Sequence, residues 1–315
     1  MNLEEHLEVA VSAVREASAV CQRVQGDLVN AGTVSKDDKS PVTVADFAAQ
    51  AVVCARLGAA FADLPVVGEE GSEALRSDPA LLETVAGHAG MATDATLTAI
   101  DRGGWTPDGT QDVYWTLDPI DGTKGFLRGE QYAVALGLIA GGKVVLGVLG
   151  CPNLDGGLLM TGGDGVVPQR LAVDGAGTAG EAVAVSATTD SKDARFCESV
   201  ESGHSDQGAS ASIAKTLGIT KEPYRIDSQC KYAAVARGDA DIYLRLPTRP
   251  GYEEKIWDHA AGLAVVEAAG GRVTDIDGKP LDFTQGRTLK LNRGVVATNG
   301  TLHDAVIAAI AASAE

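Results

Sequence analysis

The sequence has few cysteines and lacks any long hydrophobic run. Its five cysteines are scattered without CxxC spacing, at Cys21, Cys54, Cys151, Cys197 and Cys230. A sparse, odd set of this kind predicts reduced thiols and argues against a disulfide framework or a zinc site, while a regulatory disulfide stays open. No apolar stretch approaches the roughly 20 residues that cross a bilayer, so we expect no membrane segment.

Positive charge is scarce as well. The chain has 26 lysines and arginines against 43 acidic residues, a formal net charge of −17. This charge repels long nucleic acids, and no basic patch offsets it, so a nucleic acid polymer is not expected as a partner. A small phosphate ester can still bind if divalent cations lie between the two sets of negative charge. We expect a monomer with a small-molecule substrate.

The N-terminal residues do not predict an export or import signal. Acidic residues (Glu4, Glu5 and Glu8) occupy positions where a secretory signal is basic and a transit peptide is poor in acidic residues. The expected compartment is therefore the cytoplasm, with an organellar location open if the N-terminus was trimmed.

What the chain does contain is 315 residues with 45% hydrophobic content, enough for a large core or two smaller cores that share an interface. Helical spacing of apolar residues predicts a first helix over 3–21. A second helix is predicted to begin at Thr43, with Asp46 three residues later as in a capping box. A buried strand is predicted over 64–67, and 72–110 reads as a helix followed by an irregular loop.

Gly-punctuated strands are predicted next, and they indicate a broad antiparallel sheet. They span 113–117, 133–139, 144–149 and 158–161. Beyond residue 180 helices and strands alternate, so we place a domain boundary there, between an α+β domain (1–180) and an α/β domain (181–315). The predicted elements of the second domain are strands over 183–185, 226–228 and 242–246 and helices over 207–217, 231–237 and 258–269.

Four acidic residues stand at the ends of predicted elements, where they can face a common cleft: Glu69, Asp118, Asp121 and Asp258. Carboxylates from separated segments provide the oxygen ligands that magnesium requires.

The segment Asp118-Pro119-Ile120-Asp121-Gly122-Thr123 is the most informative part of the chain. Its two aspartates can reach the same metals, with the Ile120 carbonyl between them. Gly122 and Thr123 would open a helical turn whose free N–H groups can hold a phosphate. The alternative is an ordinary tight turn. For Asp46 the alternative is a helix cap that complements the helix dipole.

Three segments, in this order, resemble the inositol monophosphatase superfamily of lithium-sensitive, magnesium-dependent phosphatases. They are V-G-E-E at 67–70, D-P-I-D-G-T at 118–123 and I-W-D-H-A-A-G at 256–262. The likeness runs from about residue 36 to the C-terminus. It implies the sugar-phosphatase fold, a layered αβαβα sandwich with a large antiparallel sheet and a smaller C-terminal α/β domain.

The resemblance also implies roles for individual residues. Two or three Mg²⁺ ions would be held by Glu69, Asp118, Asp121, Asp258 and the Ile120 carbonyl. Asp46 and Thr123 would orient and activate the attacking water.

Segments 203–205, 226–232, 242–247 and 251–259 are similar to the 3′(2′),5′-bisphosphate nucleotidases of this superfamily. This likeness implies hydrolysis of adenosine 3′,5′-bisphosphate, a by-product of sulfate transfer, to AMP and phosphate. The 2′,5′ isomer and 3′-phosphoadenylyl sulfate are further candidate substrates. The residues implied in substrate binding are Gly122, Thr123, His204, Ser228, Lys231 and Arg245.

This assignment leaves alternatives open. Lys231 can be a solvated helix residue, Arg245 can pair with a nearby aspartate, Ser228 can cap a helix and His204 can be plain surface. Relatives often carry a second histidine after the position of His204, which this chain lacks, and 75–112 matches weakly. An inositol polyphosphate 1-phosphatase and a non-catalytic nucleotide-binding sensor are the rival functions. The sensor predicts a lost metal ligand or a lost Asp46–Thr123 pair, and all of these residues are present.

Overall fold

The computed structural model describes residues 1–30, 40–200, 207–249 and 251–313, which form five alternating layers of helices and sheets. Helices α1 (Leu3–Asn30) and α2 (Ser40–Ala60) cover one face of a large sheet. Helices α8 (Cys230–Ala236) and α9 (Ala260–Ala268) lie between this sheet and a smaller one, and α7 (Gln207–Thr216) and α10 (His303–Ser313) cover the outer face of the smaller sheet. The predicted αβαβα sandwich is confirmed. None of the described helices combines the length and apolar character that a membrane crossing requires.

The large sheet contains seven strands in sequence order, β1 to β7. Strand β1 pairs parallel with β2, and every other neighbouring pair is antiparallel. The elements up to the end of this sheet are α1 (Leu3–Asn30), α2 (Ser40–Ala60), β1 (Val66–Gly68), α3 (Glu73–Ser77), α4 (Pro79–Ala89), α5 (Thr93–Arg102), β2 (Val113–Asp121), α6 (Thr123–Arg128), β3 (Ala133–Ala140), β4 (Lys143–Cys151), β5 (Leu158–Gly163), β6 (Val166–Ala172) and β7 (Glu181–Ala182).

The smaller sheet has five strands in the order β11-β12-β10-β8-β9. Its elements are β8 (Phe196–Glu198), α7 (Gln207–Thr216), β9 (Tyr224–Arg225), α8 (Cys230–Ala236), β10 (Ile242–Arg245), α9 (Ala260–Ala268), β11 (Arg272–Thr274), β12 (Val295–Thr298) and α10 (His303–Ser313). Helices α8 and α9 share one apolar core with strands of both sheets. The division into two domains at residue 180 stays a prediction.

Glycines in the large sheet let α9 approach it closely. A Cβ atom added at Gly147 would lie 2.5 Å from the carbonyl oxygen of Ala261, and one added at Gly162 would lie 2.8 Å from the Cα of Val265. The helix therefore packs backbone against backbone on β4 and β5. This packing sets the position of the turn that precedes α9, which carries Asp258.

Two predictions for the first half differ from the structure. Helix α2 begins at Ser40 and not at Thr43, which places Pro41 in the first turn, where the lack of an N–H costs no hydrogen bond. Thr43 therefore cannot cap the helix, and Asp46 lies beyond its first turn, so the capping interpretation of Asp46 is wrong. The irregular loop expected within 72–110 begins only at Gly103, after three helices. The first predicted helix is confirmed and continues to Asn30.

Two predictions for the second half are also wrong in detail. The segment 183–185 is not a strand, because the Val183 amide donates to Pro168 of β6 whereas the Val185 amide donates to Ala269 after α9, so no continuous ladder forms. The segment 226–228 is not a strand either: the strand ends at Arg225, and Ser228 has a left-handed backbone with φ of 64°. Asp258 closes a single 3₁₀ turn over Ile256–Asp258, and α9 follows it.

Candidate active site

A cavity of about 750 Å³ opens where the two sheets meet, and its walls bring together nearly every predicted site residue. Its lining includes Asp46, Glu69, Asp118, Ile120, Asp121, Gly122, Thr123, Ser228, Lys231, Arg245 and Asp258. The remaining one, His204, lies outside the described residues. Side chains from α2, from the segment after β1, from β2, α8 and β10, and from the turn before α9 thus converge from distant parts of the chain.

The Asp118–Asp121 segment is the bulged end of β2 and not an isolated tight turn. The pairing of β2 with β3 shifts register between Asp118 and Asp121, so both carboxylates reach the cavity side. Asp118 is 2% exposed and accepts a 3.1 Å hydrogen bond from the Ile120 amide. Gly122, with φ of 91°, precedes α6, and a Cβ there would meet the Cβ of Ser228 at 2.7 Å.

The carboxylates repel one another strongly. Burial, then the charges of Asp258 and Glu70, raise the pKa of Glu69 to about 8. Burial, followed by the charges of Glu69 and Asp121, raises the pKa of Asp118 well above its usual range. Such mutual repulsion in a cavity wall is relieved by bound cations, and the available donors are the hard oxygens that Mg²⁺ prefers. The residues present therefore fit a magnesium site.

Glu69, Asp118, Asp121 and Asp258 form an acidic wall of the cavity, and Asp46 extends this wall from α2. Burial, then the charges of Glu70 and Glu69, raise its pKa well above the ordinary value. Its side chain is 7% exposed and faces the cavity that Thr123 also lines. The placement is that of a group able to accept a proton within the cavity.

Arg245 forms ion pairs with two acidic residues of the opposite wall. Its Nε lies 2.7 Å from a carboxylate oxygen of Glu254, and its Nη2 lies 3.1 Å from one of Asp258. Glu254 also contacts His259 at 3.1 Å, and His259 in turn contacts the hydroxyl of Tyr232 at 2.7 Å. Among the described residues, Glu254, Asp258 and His259 are the one group whose ligand atoms lie close enough together to hold a metal ion. The Arg245 guanidinium, however, already pairs with both carboxylates of this group.

Lys231 brings a positive charge to the cavity, opposite in sign to the charge of the carboxylates. It is 4% exposed, and within the described ranges its ammonium has no hydrogen-bond or ion-pair partner. Its Nζ lies over the ring of Tyr243, 5.3 Å from the ring centroid. Burial lowers its pKa, and the charge of Asp121 opposes this effect. Ser228, three residues earlier, accepts a 3.2 Å hydrogen bond from the Cys230 amide at the start of α8 and also lines the cavity.

Sequence reasoning missed two glutamines that hold the acidic segments in place. The amide of Gln50 donates to the Glu70 carbonyl at 2.6 Å and accepts from the Glu70 amide at 3.0 Å, as a neighbouring strand would. Gln50 stands four residues after Asp46 on the same helix face, a spacing that could have revealed it. Gln229 donates its backbone N–H to Asp121 and its side-chain amide to the Trp257 carbonyl at 2.9 Å.

Comparisons with known proteins agree with this geometry. The model of the "Inositol monophosphatase family" matches residues 2–315. A 3′(2′),5′-bisphosphate nucleotidase of Schizosaccharomyces pombe is 45% identical, over 99% of this chain and 96% of the relative. A 3′(2′),5′-bisphosphate nucleotidase of Oryza sativa is 44% identical, over 96% of this chain and 93% of the relative.

Solved structures with the same fold are more distant in sequence. An inositol monophosphatase from Anabaena (Nostoc) superimposes with a TM-score of 0.68 at 22% identity, over 99% of this chain and 97% of that one. The inositol monophosphatase of Zymomonas mobilis gives a TM-score of 0.68 at 18% identity, over the full length of both chains. This likeness concerns the fold.

Proposed function

The chain belongs to the inositol monophosphatase family, and we propose that within it the protein is a 3′(2′),5′-bisphosphate nucleotidase. It hydrolyses the 3′-phosphate of adenosine 3′,5′-bisphosphate to give AMP and phosphate. The similarity to nucleotidases over nearly the full chain supports this choice. The 2′,5′ isomer and 3′-phosphoadenylyl sulfate are further proposed substrates.

The acidic wall is proposed to hold two or three Mg²⁺ ions through Glu69, Asp118, Asp121, Asp258 and the carbonyl of Ile120. Bound magnesium would supply positive charge for the phosphate and lower the pKa of a neighbouring water. The protein's own contribution is rigidity. Asp118 bonds to its own loop, and Asp121 is held by Gln229, so these two carboxylates need little reordering when a cation arrives.

Asp46 and Thr123 are proposed to orient the attacking water and accept its proton. Asp46 is buried among carboxylates that raise its pKa, and this makes it a stronger base than an ordinary aspartate once it is ionised. Thr123, at the start of α6, supplies a hydroxyl beside the same cavity, and Gly122 leaves room for the phosphate.

One observation carries the choice of a bisphosphorylated substrate: the buried ammonium of Lys231, unpartnered among the described residues. Burial lowers the pKa of this ammonium and the charge of Asp121 offsets this only in part, so a second phosphate on the ligand would give the ammonium a direct partner. Ser228 and His204 are proposed to add hydrogen bonds to phosphate, sugar or base. Arg245 is proposed to contact the same ligand, although in this structure its guanidinium also binds Glu254 and Asp258.

Phosphate release tests the proposal. The purified chain is assayed on adenosine 3′,5′-bisphosphate and on inositol 1,4-bisphosphate, each with magnesium and with EDTA. Fast magnesium-dependent release from the nucleotide alone is expected. A rate that strongly favours inositol would assign the protein to the inositol polyphosphate 1-phosphatases instead. Tight nucleotide binding without turnover would make it a sensor.

A further inference from the structure

Arg287 links three segments that surround the acidic wall, although it does not line the cavity itself. It lies in the loop between β11 and β12. Its guanidinium donates to the carbonyl of Gly68 and, at 3.2 Å, to the carbonyl of Trp105. The same guanidinium stacks over the ring of Trp257, with 4.7 Å between its carbon and the ring centroid.

Two of these contacts are next to a proposed metal ligand. Gly68 precedes Glu69, whose own amide bonds to the carbonyl of Leu117 on β2 at 3.2 Å. Trp257 precedes Asp258 within the 3₁₀ turn. One side chain therefore touches the neighbours of Glu69, from the large sheet, and of Asp258, from the segment between β10 and α9.

The backbone around Arg287 is fastened to the segment that leads to Asp258. The Ile256 amide donates to the Arg287 carbonyl at 3.2 Å, and the Leu289 amide donates to the Glu254 carbonyl at 2.8 Å. The hydroxyl of Thr288 donates to Glu253 at 2.7 Å. The loop and the turn thus move together, and the guanidinium connects both to the end of β1.

We propose that Arg287 is a positioning residue that fixes the separation of Glu69 and Asp258 and thereby sets the affinity of the site for divalent cations. The inference rests on one part of the proposed function, namely that Glu69 and Asp258 hold the cation. Its positive charge also acts on the carboxylate of Glu69 and offsets part of the repulsion in the wall. Lysine cannot replace it, because only a planar guanidinium donates to two carbonyls while it stacks on an indole.

Direct metal binding tests the proposal without any turnover. Binding of Mn²⁺ to the full chain is followed by electron paramagnetic resonance of the free ion, in the absence of substrate. Residues that orient metal ligands typically change metal affinity by about 10- to 100-fold. We expect Arg287→Ala and Arg287→Lys to weaken Mn²⁺ binding by about tenfold or more. The matched control Arg293→Ala removes an exposed arginine of the same region, paired with Asp277 at 2.9 Å, and should bind as the wild type does.

Two further measurements separate positioning from general damage. Thermal unfolding in EDTA shows whether each variant is folded, and Arg287→Lys retains a charged side chain if Arg287→Ala does not fold. With saturating metal, the KM for the nucleotide should stay within twofold of wild type. Wild-type Mn²⁺ affinity in a folded Arg287→Lys chain would overturn the inference.

The same data distinguish this failure from a failure of the proposed function. A wild-type chain that binds Mn²⁺ but releases no phosphate from the nucleotide would refute the function, while the effect of Arg287 on metal binding stays measurable. A wild-type chain that turns over normally, beside variants with unchanged Mn²⁺ affinity, would refute the inference alone.

Discussion

Replacing Lys231 with methionine keeps an unbranched side chain of similar length and removes only the charge. The ammonium is buried and, among the described residues, has neither a hydrogen bond nor an ion pair. A hydrogen bond to a charged group contributes about 1.5–3 kcal/mol, which corresponds to roughly 10- to 150-fold in affinity. We therefore expect Lys231→Met to raise the KM for adenosine 3′,5′-bisphosphate within that range, with little change in kcat.

A truncated substrate makes this prediction specific to the second phosphate. Adenosine 3′-monophosphate has the phosphate that is hydrolysed but lacks the 5′-phosphate, so its KM should be the same for wild type and Lys231→Met. The control Lys192→Met removes an exposed lysine that pairs with Asp190 at 2.8 Å and should change neither substrate's KM. Equal increases in KM for the two substrates would refute the role assigned to Lys231.

The same variant has an expected effect on stability. Burial lowers the pKa of Lys231 from 10.5, so the folded chain binds the proton less tightly than the unfolded chain does. The resulting penalty is fully present below the folded pKa and disappears as pH rises towards 10.5. Without substrate, Lys231→Met should therefore have a higher Tm than wild type at neutral pH. A lower Tm would mean that the ammonium is stabilised by contacts other than those described.

Four further predictions concern the acidic wall and its support. Asp121→Ala should abolish turnover, and a normal kcat would contradict its role as a ligand. Gln50→Ala should lower the free energy of unfolding by about 1–3 kcal/mol, measured in urea, because the backbone of Glu70 loses buried partners; an unchanged value would show that water replaces the amide. Gly147→Ala should cost about 1–3 kcal/mol through overpacking against α9, and an unaltered Tm would refute the close contact. In EDTA, the free energy of unfolding should fall as pH rises from about 4.5 to about 8. The reason is that the folded chain keeps a proton on Glu69 over this range, whereas the unfolded chain loses it. A rise in the free energy of unfolding would show that the carboxylates do not share this environment.

Much of the site could be predicted from sequence because its residues follow the ends of short strands. Glu69 comes directly after β1, and Asp118 and Asp121 close β2, so local pattern and family likeness both lead to them. The helix over 40–60 was recognisable, but its start was not, since Pro41 is equally compatible with a loop or with a first helical turn.

The supporting contacts could not be found in this way. Arg287 and Gly68 are 219 residues apart, and their bond joins a side chain to a backbone carbonyl, which leaves no trace in local periodicity. The segment 183–185 was wrongly predicted as a strand because β-branched residues favour strands only where a neighbour offers a free edge. Val185 instead donates its amide to Ala269, after the end of α9.

The close contact between α9 and the glycines of the large sheet has a mechanical consequence. At Gly147 and Gly162 only backbone and the methyl groups of Ala264 and Ala268 lie at the contact between helix and sheet, so no rotamer change can absorb a displacement there. A displacement of β4 or β5 would therefore also displace the start of α9 and Asp258. A core substitution that moves these strands should therefore change metal affinity as well as stability.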